Sequence, residues 1–328
     1  MKAAVLDGIG SKFEVREVEL DKPKSGELLV KVAASGLCAS DLNAVDGKRK
    51  LVPFPAVIGH EAAGVIVEVG ADVKGFSVGD HVIMSIVPSC GTCEYCASGR
   101  PNYCATAGNA MSVGGLFDGT SRLSQNGEKL NHFLTVASFA EYVVVPASGA
   151  VVIPDEMPLD RAALISCAVL TGYGAVMNTA KVKPGSTVAI FGCGGVGLNI
   201  VQGARMAGAT TIIAVDVTQE KLDLAKKVGA THVINGATSD PVAMVKEICG
   251  GVDYAFEALG RESTIQQAWG TVGVDGTLIL VGLMKNGATI TLDAGPFVNE
   301  QSIKGCYFGS ANLRKDVPAL VKSYLNGE

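Results

Sequence analysis

Cys90, Cys93, Cys96 and Cys104 lie in one short loop, separated by two, two and seven residues. Thiolates this close together can wrap one Zn²⁺ in a tetrahedron of soft ligands. An iron–sulfur cluster uses the same four-cysteine set and stays open as the alternative. Four protein ligands leave no coordination position for a substrate, so the expected role is structural. The chain holds nine cysteines. An odd count, tight gaps and an acid at Asp7, too early for a signal-peptide core, disfavour a disulfide framework.

A second pattern, Gly192-Cys193-Gly194-Gly195-Val196-Gly197, fits G-x-G-x-x-G. Alone it is weak in a glycine-rich chain, but it follows the apolar run Thr187–Phe191 and opens a helical stretch. An acid, Asp216, ends the next apolar run close to the expected spacing. Gly192 permits the turn, Gly194 lets the backbone approach a pyrophosphate, and Gly197 allows helix and strand to pack closely. The N–H groups around Gly195 and Val196 and the helix dipole then favour phosphate. The Asp216 carboxylate accepts from a ribose diol and repels a 2′-phosphate, which favours NAD over NADP. Lys221 is a candidate contact to the adenosine ribose, or simply a solvated helix charge.

These residues need elements to hold them. The first half carries short β-branched runs, Leu28–Ala34 and Gly64–Gly70, with a further strand ending at Met84, and reads as a small β domain. A helix is expected over Asp160–Thr179. Beyond Lys183-Pro184-Gly185-Ser186, strands and amphipathic helices alternate. The expected strands are Ile212–Asp216, His232–Asn235, Val252–Glu257 and Thr277–Gly282. The expected helices are Gly195–Gly208, Gln219–Val228, Pro241–Cys249 and Ser263–Val272. Such alternation implies a parallel sheet covered on both faces. With 328 residues, 48% hydrophobic and a net charge of -5, the chain has room for two domains,. That balance argues against nucleic acid or an anionic membrane as partner, no stretch reads as a membrane span, and a cytoplasmic location is expected.

Gly59-His60-Glu61-Ala62-Ala63-Gly64, the four-cysteine loop, Asp118-Gly119-Thr120-Ser121-Arg122 and Cys167-Ala168-Val169-Leu170-Thr171-Gly172-Tyr173-Gly174 together resemble the zinc-containing medium-chain alcohol dehydrogenases. The likeness runs from about residue 3 to the chain end. It is nearest to the animal and plant enzymes and their glutathione-dependent formaldehyde dehydrogenase branch. The resemblance implies an α/β fold, a Rossmann-type doubly wound parallel sheet plus a GroES-like β-barrel catalytic domain. The expected boundaries are 1–168 for the catalytic domain with the zinc sites and 169–305 for NAD binding. Residues 306–328 would begin a return to the catalytic domain.

By the same resemblance, Cys38, His60 and Cys167 hold a catalytic zinc and Glu61 can approach it; singly, each has a bland reading as a buried thiol or loop imidazole. Zinc would lower the pKa of a bound alcohol, and the alkoxide would pass hydride to the nicotinamide. Ser40 matches the hydroxyl that takes the alcohol proton, and Asp41 the carboxylate that orients His60. Thr171, Val281 and Phe308 match positions lining the nicotinamide.

Three departures stand out. Asn43 replaces a common proton-relay histidine, Ala39 replaces a basic residue that meets the pyrophosphate, and the sequence ends at Glu328, where relatives continue. A primary or aromatic alcohol is the expected substrate: Ile86, where relatives often carry an aromatic, leaves more room for a bulky alcohol, and Phe133 and Leu134 would supply apolar wall. S-(hydroxymethyl)glutathione is the alternative, with Lys48, Arg49 and Lys50 at the rim either meeting such an anionic conjugate or simply forming a solvated charge run on a loop. A non-catalytic zinc- and NAD-binding relative is the reading from a different class. A homodimer or homotetramer is expected, with Ala288–Ala294 as an edge strand for sheet continuation. Cys193, Cys249 and Cys306 are expected to be buried fillers.

Overall fold

Runs of β-branched and small apolar residues with buried inner ends form two long strands in the first half, Glu27–Gly36 and Glu61–Val69. They pair antiparallel, with Gly36 opposite Glu61. The computed structural model describes all 328 residues, and they divide into two compact units, Met1–Cys167 with Asn312–Glu328, and Ala168–Ala311.

In the first unit, a five-stranded antiparallel sheet runs in the spatial order Tyr142–Pro146, Glu27–Gly36, Glu61–Val69, His81–Met84, Ala150–Val152. A six-stranded sheet joins Lys2–Leu6 and five other short strands, parallel only between Ala56–Val57 and Glu128–His132. Short helices do occur in this half, at Ala39–Val45 and Ala105–Ser112. The closing helix, Leu313–Leu325, buries Leu313, Val317, Leu320 and Val321 on one side, at helical spacing,.

The second unit is a six-stranded parallel sheet. Its spatial order is His232–Asn235, Thr211–Asp216, Thr187–Phe191, Val252–Glu257, Val272–Leu280, Ser302–Gly305. In chain order that is 3-2-1-4-5-6, so the direction of winding reverses between Thr187–Phe191 and Val252–Glu257. Such a reversal opens a crevice at the carboxyl ends of those two strands. Residues two apart divide between two cores: Val188, Ile190, Ile212 and Ala214 on one face, Ala189, Phe191, Ile213 and Val215 on the other. Each fully buried Val or Ile contributes about 1.5–3 kcal/mol. That burial on both faces explains why the strands read as unbroken apolar runs rather than alternating ones.

Three expectations need correction. Ala288–Ala294 forms no strand; the carbonyls of Thr291 and Asp293 accept instead from Gln266 and Trp269, which uses its backbone for side-chain bonds. The sheet edges are His232–Asn235 and Ser302–Gly305. The helix expected near 160–179 runs unbroken over Leu159–Ala180 and, contrary to the sequence reading, is apolar and long enough to cross a membrane; 67% of its apolar stretch is buried inside the protein, as in a core helix. Of the three expected filler cysteines, only Cys193 is fully buried.

Candidate active site

Strand register assembles the first half of the site. Because Gly36 pairs with Glu61, the residue two beyond one strand end, Cys38, comes beside the residue just before the other, His60. Cys167 is contributed by the Leu159–Ala180 helix, in a π-helical stretch at Ile165–Val169. One extra residue in a turn re-aims a side chain, and such bulges recur at functional sites. The ligand atoms of Cys38, His60, Glu61 and Cys167 all lie within 4.8 Å of one another. Gly36 makes room for them, since a Cβ there would stand 2.4 Å from Glu61 Oε2.

Asp41, fully buried in the first turn of the Ala39–Val45 helix, clamps two members of this group at once. Its Oδ1 lies 3.0 Å from His60 Nδ1, and its Oδ2 accepts from the Cys38 N–H at 2.8 Å. The His60 ring is held edge-on by Phe133, with centroids 5.6 Å apart. Its Nε2 is buried with no hydrogen-bond partner. An imidazole with Nδ1 engaged by a carboxylate and Nε2 left bare among two thiols and a carboxyl fits a divalent metal that takes nitrogen and sulfur.

The electrostatics agree. The Cys167 thiol hydrogen-bonds the Cys38 sulfur and, against the cost of burial and with help from His60, holds Cys38 down at about 3. Cys167 is pushed well up by the same bond and by burial. Burial opposes a charge on His60, but Asp41 and the Cys38 thiolate outweigh it and raise the group to about 10. Burial and the neighbouring thiolate raise Glu61 to about 7. Protons here balance charge in a place where a cation would balance it better.

The four-cysteine loop is assembled as its spacing implies. All four sulfurs lie within 4.8 Å of one another. Zn–S bonds of about 2.3 Å in a tetrahedron place sulfurs roughly 3.8 Å apart, whereas several irons would hold them further apart. The Cys90 N–H donates to the Cys104 sulfur and the Cys93 N–H to the Cys90 sulfur, each at 3.3 Å. Hydrogen bonds from Thr106 and from the Thr92 and Cys93 N–H groups lower Cys90 to about 5, while burial raises Cys96 to about 12.

In the second unit, Gly192 adopts a φ of 97° and Gly194 caps the helix Gly195–Met206. Gly197 is required by close approach, since a Cβ there would stand 1.7 Å from the Gly192 carbonyl oxygen. Asp216 accepts from the Cys193 N–H at 2.8 Å and the Thr218 N–H at 3.0 Å, which ties the strand end to the glycine turn. Gly172 lets the Thr171 turn lie against the following helix: its Cβ would stand 2.5 Å from the Val196 carbonyl oxygen. Phe308 joins Thr171 through Gly309, whose Cβ would stand 2.8 Å from the Thr171 carbonyl oxygen. Val281 follows the Val272–Leu280 strand and hydrogen-bonds the Glu257 carbonyl. Lys221 stands exposed on the next helix, and Ser40 is half-buried, two residues beyond Cys38.

Sequence reasoning missed two buried groups. Glu257 is wholly buried where the strand Val252–Glu257 ends. His132, also wholly buried, accepts from the Arg122 N–H at 3.2 Å and is pushed down to about 3 by burial and by Arg122. An acid closing an apolar strand, as at Asp216, was the one available signal for Glu257.

A parallel dinucleotide-type sheet, a GroES-like unit and two cysteine-rich donor clusters define a zinc-dependent dehydrogenase. Comparison with known proteins agrees. Residues 24–155 match the alcohol dehydrogenase GroES-like domain, and residues 195–325 match the zinc-binding dehydrogenase domain. The chain is 40% identical over 333 residues to the NDMA-dependent alcohol dehydrogenase of Amycolatopsis methanolica, covering 99% of this chain and 89% of that one. It is 38% identical over 337 residues to the S-(hydroxymethyl)glutathione dehydrogenase of Synechocystis sp., covering 100% and 90%. The crystal structure of benzyl alcohol dehydrogenase from Acinetobacter calcoaceticus superposes with a TM-score of 0.94 at 37% identity, covering 99% and 89%. The chain belongs to the zinc-containing alcohol dehydrogenase family.

Proposed function

We propose that this protein oxidises a primary or aromatic alcohol to the aldehyde, and runs the reverse reaction, with NAD as hydride acceptor. One observation carries the reading: the buried cluster of Cys38, His60, Glu61 and Cys167, with Asp41 orienting His60 and leaving its Nε2 bare. Cys38, His60 and Cys167 would hold the metal, and Glu61, held back beside Gly36, is the carboxyl that can exchange with them. When bound, zinc supplies the Lewis acidity that lowers the pKa of an alcohol, and NAD supplies the acceptor carbon for hydride. Ser40 is the hydroxyl assigned to the alcohol proton. Cys90, Cys93, Cys96 and Cys104 would hold a structural zinc.

NAD rather than NADP is supported by Asp216, whose carboxylate would repel a 2′-phosphate. Gly192, Gly194, Gly195, Val196 and Gly197 would carry the pyrophosphate, with Thr171, Val281 and Phe308 at the nicotinamide end. A second reading, oxidation of S-(hydroxymethyl)glutathione, rests on the Synechocystis relative and on the basic run Lys48-Arg49-Lys50.

The test is the zinc-loaded protein assayed with NAD against benzyl alcohol, and separately against formaldehyde with glutathione. Turnover with benzyl alcohol supports the first reading; preference for the glutathione adduct moves the assignment to the second. Activity only when NDMA replaces free NAD as acceptor would overturn the role of NAD as an exchangeable cosubstrate, and turnover of neither substrate would overturn both readings.

A further inference from the structure

Glu257 lies at the point in the second unit where the winding of the sheet reverses. It ends one of the two strands that bound the crevice and pairs with Phe191, which ends the other. Nothing of it is exposed. Its Oε1 accepts from the Leu259 N–H at 3.0 Å, the Gly260 N–H at 2.9 Å and the Thr264 hydroxyl at 2.7 Å, and its Oε2 accepts from the Gly260 N–H at 3.0 Å. Its backbone carbonyl takes the N–H groups of Val281 at 2.9 Å and Gly282 at 2.8 Å.

These bonds tie together both walls of the crevice. On one side, Leu259 is drawn over the glycine turn, so that a Cβ on Gly192 would stand 2.7 Å from Leu259 Cγ. On the other, the exit of the Val272–Leu280 strand is pressed against the carboxylate: a Cβ on Gly282 would stand 2.6 Å from Glu257 Oε2 and 2.1 Å from the Gly260 nitrogen. A buried carboxylate is costly unless its lone pairs are filled, and here they are filled by the backbone of the loop that borders the crevice.

We propose that Glu257 is a positioning residue for the dinucleotide, bracing the 258–260 loop so that the Gly192 turn and Val281 hold the separation the cofactor needs. This rests on the reading of the crevice as the NAD site. Glu257 touches no reacting atom; it acts through Leu259, Gly260 and Val281. A glutamine at 257 can keep its oxygen in the Oε1 position, but its N–H₂ then meets the Gly260 N–H that Oε2 now accepts, so the loop must shift at Gly260.

The experiment compares the wild-type protein with Glu257→Gln and Thr264→Val, the latter removing the hydroxyl that contacts Glu257 and the Arg261 carbonyl while leaving the carboxylate in place. NAD affinity is measured by calorimetry, and KM for NAD and kcat are measured at saturating alcohol. Glu257→Gln is expected to raise the NAD Kd about tenfold, the worth of one bond to a charged group, with KM for NAD following and zinc content unchanged. Thr264→Val should move Kd the same way by less, and it decides the matter if the glutamine variant does not fold. Variants with a lowered Tm but wild-type NAD affinity would make Glu257 merely structural and overturn the proposal. A wild-type protein that binds no NAD would remove the NAD reading, and this inference with it.

Discussion

Asp41→Asn tests the metal centre most directly. The carboxylate accepts from His60 at 3.0 Å and from the Cys38 N–H at 2.8 Å, and it is wholly buried, so water cannot replace it. Asparagine offers one oxygen in place of two. Whichever way the amide turns, one of the two donors meets an N–H₂ group. The loss is one hydrogen bond to a charged acceptor, about 1.5–3 kcal/mol. At about 1.4 kcal/mol per decade that is roughly 10–150-fold, which overlaps the 10–100-fold typical of groups that orient a metal ligand. Zinc should therefore leave the Cys38–His60–Cys167 cluster about 10–100-fold more readily. The four-cysteine loop is the internal control, because Asp41 makes none of its hydrogen bonds. Titration with a chromophoric chelator should resolve two zinc events, of which only one moves. If both move in parallel, the substitution has loosened the whole unit; if neither moves, the clamp does not hold the ligands as argued.

His132 predicts a pH dependence of stability. Burial depresses its folded pKa to about 3, below the ordinary value of 6.5, so between those values the unfolded chain binds the extra proton and stability falls as pH falls,. From about pH 7 to about pH 5 the loss is about 2 kcal/mol, and denaturant melts of His132→Gln, which keeps an acceptor for the Arg122 N–H, should show a loss smaller by that amount. Gly197→Ala puts a methyl 1.7 Å from the Gly192 carbonyl oxygen. Calorimetry should show NAD binding weakened about 5–140-fold, the equivalent of the about 1–3 kcal/mol that overpacking of this kind costs, and zinc content should be unchanged. Cys96→Ser removes one ligand of the four-cysteine loop. Elemental analysis should find about one zinc per chain in place of about two, and limited proteolysis should cut within residues 90–104 sooner than in the parent.

How much of this was legible depended on distance along the chain. The four-cysteine loop was readable because all its ligands fall within 90–104, and so short a segment has few ways to place four sulfurs other than around one ion. The glycine turn was readable because Gly192, Gly194 and Gly197 meet steric demands made by their own turn and helix. The unbroken apolar strands announced a sheet buried on both faces. By contrast, Cys38, His60 and Cys167 carry no spacing that means anything alone, and resemblance was needed to group them. Arg122 and His132 were invisible as a pair, since nothing in their separation says that one caps the other's ring nitrogen.

The sequence by itself thus determined what neighbouring residues impose on each other: the four-cysteine loop, the glycine turn, and the alternation of strand and helix. Only the tertiary structure decided the rest. The Gly36–Glu61 register set Cys38 beside His60, a π-helical stretch contributed Cys167, and the reversal of strand order left Glu257 bracing two loops. It also turned Ala288–Ala294 from an expected strand into a backbone that serves Gln266 and Trp269. The reason is physical: local conformation is chosen by a few dihedrals and near contacts, whereas register and packing are chosen by burial summed over the whole unit.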